Sequence, residues 1–409
     1  MNIYSRKGTY FRGQSKEIVA FSRKKRYICG NTTLKMTVMK LLFLIITALL
    51  LIGNRATACT SAIVTAQRSS ESAPLLWKHR DSKNRATCVR YYDNGKYAYT
   101  AITDSKDGSK SAYAGINETG FGIINTATKN LPCSTEEECK ACTRKEVGWG
   151  AMWHYALRNC ATVDEFEEYI RNTKRRHKFG TNFAVGDASG AVAYFEIWDL
   201  GYKRYDTTDR KEGFDVRSNF SFSGIDEKRG PSTRRYDVIM KEMSAHEGKF
   251  TPQQFYAYSR SYNSCAYGDI LANDNEYICS NHAVPRVATT GVFVVVCDAK
   301  CPRMLVTIGH SVSGTAVPIY VQAKHNIPEC VKGDAMLLLS NDFTAKAYHR
   351  VKGKGSVLQK DVVRKVLNIK QPEIVIPQQM PDNIKAFNAN IDKQFTKHAK
   401  RVRKVLAKF

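Results

Sequence analysis

The stretch RATACTSAIV, residues 55–64, sits close behind an oily run, LLFLIITALLLIG at 41–53. Its reading decides where the folded chain starts and with what. Thirteen nearly all-apolar residues are too few for a membrane-spanning helix, which takes about 20. They have the length of a signal-peptide core, with Lys35 and Lys40 ahead of them, and Ala56-Thr57-Ala58 behind supplies a small-x-small cleavage pattern. A cut after Ala58 makes Cys59 the first residue of the mature chain. MKLLFLIITALLL from Met39 would serve as a leader alone, so the true start is read as Met36 or Met39, or the basic region is unusually long. After Cys59, the β-branched run Thr60–Ala66 reads as a strand, and PLLWKHRD at 74–81 as the second strand of a hairpin.

The mature chain, 59–409, is long enough for a sizeable core, and no repeat or long linker interrupts it. Of the +25 formal charge, residues 1–58 carry +10, which leaves +15. Such a balance can mean nucleic acid, an anionic surface or acidic ligands. An exported protein rarely meets nucleic acid, so envelope surfaces or plain solubility are favoured and no nucleic-acid partner is expected. Part of the excess lies in the tail, KQFTKHAKRVRKVLAKF at 393–409. It is read as a solvated terminal helix, with membrane-surface contact as the other reading.

Twelve cysteines are present. Setting aside Cys29 and Cys59, ten remain, and an even set in an exported chain suggests disulfides. CSTEEECKAC (133–142) or CDAKC (297–301) could instead hold zinc, but neither completes a set with proper spacing. Disulfides are therefore expected, of unread connectivity, with no metal and no cofactor.

Further along, SAYAGINETGFGIINTA (111–127), NFAVGDASGAVAYFEIW (182–198), and TTGVFVVVCD with PRMLVTIGH (289–310) read as hairpins. Trp149, Met152, Trp153 and Ala156 fall at helical spacing. ATVDEFEEYIRNTKRR opens on a capping box, Thr162 to Glu165, and STRRYDVIMKEMSA and TPQQFYAYSRS look helical. Strands, helices, strands, helices, strands and a tail make an α+β layered fold with mainly antiparallel sheets.

A cysteine at a chain terminus carries two useful groups. Its thiol is a nucleophile, and its free α-amine, with a pKa of about 7.7–8.0, is partly an unprotonated base near neutrality. Cutting just before Cys59 would thus create the catalytic base. The competing reading is lipidation of Cys59 in a non-enzymatic, disulfide-stapled envelope lipoprotein. Ala56, where a lipobox usually has Leu, makes that box weak, and an acylated amine would end the proposed catalysis.

The segment CTSAIVTAQRSSESAPLLWKHRD (59–81) resembles the opening of the N-terminal-nucleophile (Ntn) cysteine hydrolases, the family of penicillin acyltransferases, conjugated bile acid hydrolases (choloylglycine hydrolases) and acid ceramidase-like amidases. In it Asp81 matches the family's strand-closing Asp, and Lys78 stands where the bile acid hydrolases carry Arg. GINETGFGIIN (115–125) resembles the hairpin that leads to an Asn near the nucleophile, here Asn125. GDASGAVAYFE (186–196) resembles the family's Asp-x-x-Gly hairpin. VRSNFSF (216–222) resembles the segment with the oxyanion-hole Asn, here Asn219, and YICSNHAVPRVATTGVFVVV (277–296) the one with a site Arg, here Arg286. The first hairpin is longer than the family's, Phe220 follows the key Asn, and the cysteine-rich insert at 133–142 is extra.

The resemblance implies a four-layer αββα sandwich with antiparallel sheets and Cys59 at the end of a central strand. It divides the chain into a removed signal and extension (1–58), an Ntn-hydrolase domain (59–380) and a basic helical tail (381–409). It implies an exported, periplasmic or extracellular enzyme acting on a linear amide, a small molecule or short peptide, by hydrolysis or acyl transfer. Cys59 would attack the carbonyl, Asp81 orient the α-ammonium, Asn219 with Asn125 meet the oxyanion, and Arg286 favour the thiolate. His79 and His282 are read as structural.

Overall fold

Two periodicities sort the apolar residues into stacked layers: alternation along strands, and the 3.6-residue repeat along helices. The computed structural model describes residues 58–108, 111–372 and 376–409. The segment read as a leader lies outside these residues, apart from Ala58.

One sheet has seven strands, in the order β11 (Tyr202–Asp206), β10 (Val192–Trp198), β9 (Gly180–Gly186), β6 (Gly122–Ala127), β5 (Ala112–Asn117), β4 (Tyr99–Asp104) and β3 (Thr87–Tyr92). The other has six: β12 (Phe214–Arg217), β1 (Cys59–Val64), β2 (Leu75–Asp81), β15 (Thr289–Val296), β16 (Arg303–Ile308) and β17 (Val317–Tyr320). All their ladders are antiparallel. The short ribbons β7/β8 (Lys145–Val147, Thr173–Arg175), β13/β14 (Asn263–Ser264, Gly268–Asp269) and β18/β19 (Tyr348–Val351, Gly355–Leu358) lie outside them.

Alternation gives each large sheet two apolar faces. Ile63, Leu76, Phe293 and Val306 from the six-stranded sheet meet Ile116, Ile124 and Ala184 from the seven-stranded one. The outer face of the seven-stranded sheet, with Phe183 and Phe195, packs on Met152, Trp153 and Phe166 of helices Trp149–Asn159 and Val163–Arg171. The outer face of the other, with Ala62, Trp77 and Val294, packs on Ile239 and Phe255 of helices Thr233–Ser244 and Pro252–Arg260. Helix, sheet, sheet, helix is the four-layer order that the resemblance implies.

The local signals hold where chemistry is local. Thr162 and Glu165 form the capping box at the start of their helix. The Asp187–Gly190 turn closes on Gly190 at φ +99, a conformation that L side chains rarely adopt.

Two expectations meet a different arrangement. All eleven described cysteines are free. Several fall in separate regions: Cys160 in the outer cluster on the seven-stranded sheet, Cys297 between the sheets, Cys301 in a small satellite. A chain this long builds a core without cross-links. Nor do residues 381–409 form a separate solvated tail. Helix Ile384–Leu406 buries Ile391, Phe395, Ala399, Val402 and Leu406 in the inter-sheet cluster, beside helices Ala335–Ala347 and Lys360–Leu367. Its Lys and Arg residues occupy the remaining faces, so the basic composition hides an amphipathic stripe. Among the described residues no helix is long and apolar enough to cross a membrane.

Removing a buried aromatic from this last helix tests its packing. Phe395→Ala is expected to cost about 3–5 kcal/mol in urea unfolding. Lys400→Ala, on the exposed side, should stay within about 0.5 kcal/mol; equal effects would mean the helix is not part of the core.

Candidate functional site

β1 starts at Cys59, and its register sets Cys59 opposite Arg80 and Ser61 opposite Lys78. Alternation sends Cys59, Lys78 and Arg80 to the side of Ile63 and Leu76, between the sheets, and His79 and Asp81 to the side of Trp77. Charged groups are thereby carried into the interior at the end of the central strands.

The peptide nitrogen of Cys59 donates to Asn219 Oδ1 at 2.6 Å. Arg235, from helix Thr233–Ser244, bridges the same atoms. Its Nη2 donates to Asn219 Oδ1 at 2.9 Å, and its Nη1 to Cys59 O at 2.6 Å and Thr60 Oγ1 at 2.8 Å. Burial pushes Arg235 down to about 9, with repulsion from Arg286 adding and Asp81 and Cys59 opposing, so it stays a cation at neutral pH. Asn219 Nδ2 gives one N–H to Ala127 O at 2.6 Å, at the end of β6, and an amide nitrogen has two.

Lys78 is almost wholly buried, and its ammonium donates to Asn125 Oδ1 at 2.7 Å and Tyr113 O at 2.8 Å. Burial drives it down to about 7; the Cys59 sulfur pulls it up and Arg80 pushes it further down. Asn125 in turn donates to Thr181 Oγ1 at 3.0 Å. Arg80 lies over the Tyr113 ring, 3.9 Å from its centroid.

Behind this lies a buried ion pair. Asp81 accepts from Arg286 Nε at 2.6 Å and Thr289 Oγ1 at 3.1 Å, with His79 Nε2 at 3.4 Å. Burial alone would raise the carboxyl, but Arg286 and His79 outweigh it and hold Asp81 well below the usual carboxylate range.

All five residues singled out from the sequence therefore fall in one region, in partnerships that differ from those expected. Asp81 approaches Cys59 through its backbone, Cys59 Sγ lying 4.0 Å from Asp81 O, while its carboxylate is bound to Arg286 and Thr289. The nitrogen of Cys59 meets Asn219 instead. It is still a peptide nitrogen here, with a single N–H. Arg286 holds Asp81 and, more weakly, Asn281 Oδ1 at 3.4 Å. Asn125 is locked to Lys78.

Arg235 escaped the sequence reading. Its signal was present: it falls on the buried stripe of its helix with Val238, Ile239 and Met243, a cation where the period calls for an apolar residue. Asn182 also matters. Its Nδ2 donates to Phe220 O at 2.8 Å and Thr126 Oγ1 at 3.2 Å, and its Oδ1 accepts from Ser221 Oγ at 2.5 Å. It thus clamps the loop that presents Asn219. Arg217 supports the same loop from below, bonded to Glu196 and Asp215, while Glu196 accepts from the Phe222 and Ser223 nitrogens.

No protein-family model and no curated protein matches this chain. Among solved structures it is similar to penicillin V acylase from Agrobacterium tumefaciens, at 16% identity and TM-score 0.41, covering 64% of this chain and 86% of that one. It is similar to a mutant conjugated bile acid hydrolase from Clostridium perfringens, at 11% identity and TM-score 0.41, covering 65% and 93%. It is also similar to an N-acylethanolamine-hydrolyzing acid amidase ortholog from Caenorhabditis elegans, at 14% identity and TM-score 0.39, covering 58% and 93%.

The buried pair predicts an acid-sensitive stability. Asp81 has a folded pKa below its unfolded value of about 3.9. Its contribution is complete above that value and is lost as pH falls through it toward the folded one. Asp81→Asn, which leaves Arg286 without its counter-ion, should cost about 3–5 kcal/mol at neutral pH. The gap in urea midpoint between the two proteins should narrow below about pH 4; a constant gap would contradict the assignment.

Proposed function

We propose that this chain, once cut after Ala58, is an exported Ntn-type cysteine amidase that cleaves a linear amide C–N bond through an acyl-thioester on Cys59. The observation that carries this reading is the bond from the Cys59 nitrogen to Asn219 Oδ1, at the buried start of a central strand and beside Lys78 and Arg235. A polar cluster built around a backbone nitrogen has an obvious use if that nitrogen becomes a free amine.

The steps follow from the groups present. The amine, positioned by Asn219 Oδ1, takes the thiol proton of Cys59. The thiolate attacks the amide carbonyl, a C–S bond forms, and the carbonyl oxygen takes the negative charge. Asn219's second N–H is the donor assigned to that oxyanion, while Asn125 holds the Lys78 ammonium through its Oδ1. As the tetrahedral intermediate collapses, the C–N bond breaks and the α-ammonium returns its proton to the leaving amine. Water, or an amine in acyl transfer, then attacks the thioester and gives a proton to the free α-amine; the C–S bond breaks, the acid or new amide leaves, and that proton returns to the Cys59 sulfur. Lys78, Arg80, Arg235 and Arg286 outnumber the one carboxylate, Asp81. This surplus favours the oxyanion, and suits a substrate that itself carries a carboxylate, such as an N-acyl amino acid or short peptide.

N-terminal sequencing of active protein should therefore begin at Cys59, and Cys59→Ala should fold but show no turnover of N-acyl amides; activity above a few percent would sink the mechanism. Asn219→Ala should lower kcat about 10²–10³-fold with little change in KM.

Lys78 adds a pH signature. With a pKa near 7 it loses its charge above neutrality, and with it the positive field that stabilises the developing oxyanion. The rate of the wild-type chain should fall on the alkaline side from about pH 7. Lys78→Arg, which stays charged, should remove that limb; an unchanged profile would exclude the role.

A further inference from the structure

Three donors from distant parts of the chain converge away from Cys59. Cys133 Sγ lies 3.4 Å from Asp199 Oδ2 and 3.6 Å from His177 Nδ1, and His177 Nδ1 lies 3.8 Å from Asp199 Oδ2. We propose that Cys133, His177 and Asp199 form a binding site for one zinc(II) ion that clamps three loops at one end of the seven-stranded sheet.

The distances have the right size. Zinc–sulfur bonds of about 2.3 Å, with zinc–nitrogen and zinc–oxygen bonds of about 2.0–2.2 Å, at tetrahedral angles separate the donors by about 3.4–3.6 Å. The three observed edges match one face of such a tetrahedron to within a few tenths of an ångström. A thiolate, an imidazole and a carboxylate together suit a borderline-soft ion. The same residue types could form a Cys–His–Asp relay, but a relay uses both ring nitrogens of the histidine, one toward each partner. Here both neighbours approach Nδ1, the arrangement of donors around a shared centre.

Asp199 is prepared for this role. Its side chain is fully buried, and its Oδ1 accepts from Ser134 Oγ at 2.8 Å, Leu200 N at 3.0 Å and Ser134 N at 3.1 Å. Oδ2 receives only longer contacts from protein N–H groups, from Ser134 N at 3.2 Å and Lys178 N at 3.4 Å, and faces Cys133 and His177. Hydrogen bonds that fix the remote oxygen of a ligating carboxylate are what a metal site needs around it. Cys133 is exposed, so the fourth position opens to solvent and would hold water.

The fold explains why the donors meet. Cys133 follows β6, His177 precedes β9 and Asp199 follows β10. The register pairs Ala127 with Thr181 and Gly180 with Trp198, so these strand ends are neighbours. In sequence the partners of Cys133 lie 44 and 66 residues on, beyond any local spacing rule.

Binding forms a Zn–S bond and breaks the Cys133 S–H bond, and the proton passes to buffer. The full chain, reduced and stripped with a chelator, should take up one Zn²⁺ in competition with a chromophoric chelator. Its Co²⁺ form should show a thiolate-to-cobalt charge-transfer band and tetrahedral ligand-field bands. Ser134→Ala should weaken binding about 10–100-fold, and Cys133→Ser or His177→Ala more than that. Cys133→Ser replaces an exposed side chain and is expected to fold. Cys59→Ala and Cys142→Ser should bind as wild type does, which separates this site from the one proposed for catalysis. No uptake, undiminished uptake by Cys133→Ser, or Cys133 found in a disulfide in the unreduced chain would each overturn the proposal.

Discussion

One buried guanidinium holds the start of the first strand. Arg235 donates at once to Cys59 O, Thr60 Oγ1 and Asn219 Oδ1, so the backbone of Cys59 and the side chain meeting its nitrogen share one fixed partner. Hydrogen bonds from a charged donor in a low-dielectric interior are strong, and leaving their acceptors unmet is costly. The loop 218–223, the helix Thr233–Ser244 and β1 are therefore positioned relative to one another by a single side chain. Asn182 and Glu196 close the loop from the other side.

A second constraint is charge. β2 carries Lys78, Arg80 and Asp81 into the interior, and each has a partner there: Asn125 and Tyr113 O, Thr290, and Arg286. An apolar sandwich of this size would be stable without them. Buried ion pairs contribute little net stability compared with well-packed apolar groups, so their concentration at the end of the central strands is not explained by cohesion alone. The opposite balance at Lys78 and Asp81 has one origin. Both are desolvated, but only Asp81 has a full counter-ion in contact.

The legible parts of the chain were those set by short-range rules. The hairpins at 115–125, 182–198 and 289–310, and the helix opened by Thr162 and Glu165, could be read because turn residues, alternation and capping act within a few positions. The gathering of Cys59, Asp81, Asn125, Asn219 and Arg286 followed from the resemblance, but their contacts did not. Asp81 turned to Arg286 because a buried carboxylate takes the nearest cation, and Asn125 turned to Lys78 for the complementary reason. The C-terminal helix looked like a solvated basic segment because charge count says nothing about which face it occupies. Its Ile391–Leu406 stripe decides that.

The sequence by itself determined the order of strands and helices, the two-faced apolar character of the central sheets, and a cysteine placed to start the first strand, because each depends on periodicity or neighbouring residues. Tertiary structure alone decided which polar groups become partners. Arg235 reaches Cys59 across 176 residues and Arg286 reaches Asp81 across 205, and Cys133 joins Asp199 only because β6, β9 and β10 lie side by side. Such partnerships are set by strand register and by the demand that every desolvated charge find a partner. Both are properties of the whole packed chain and of no segment of it.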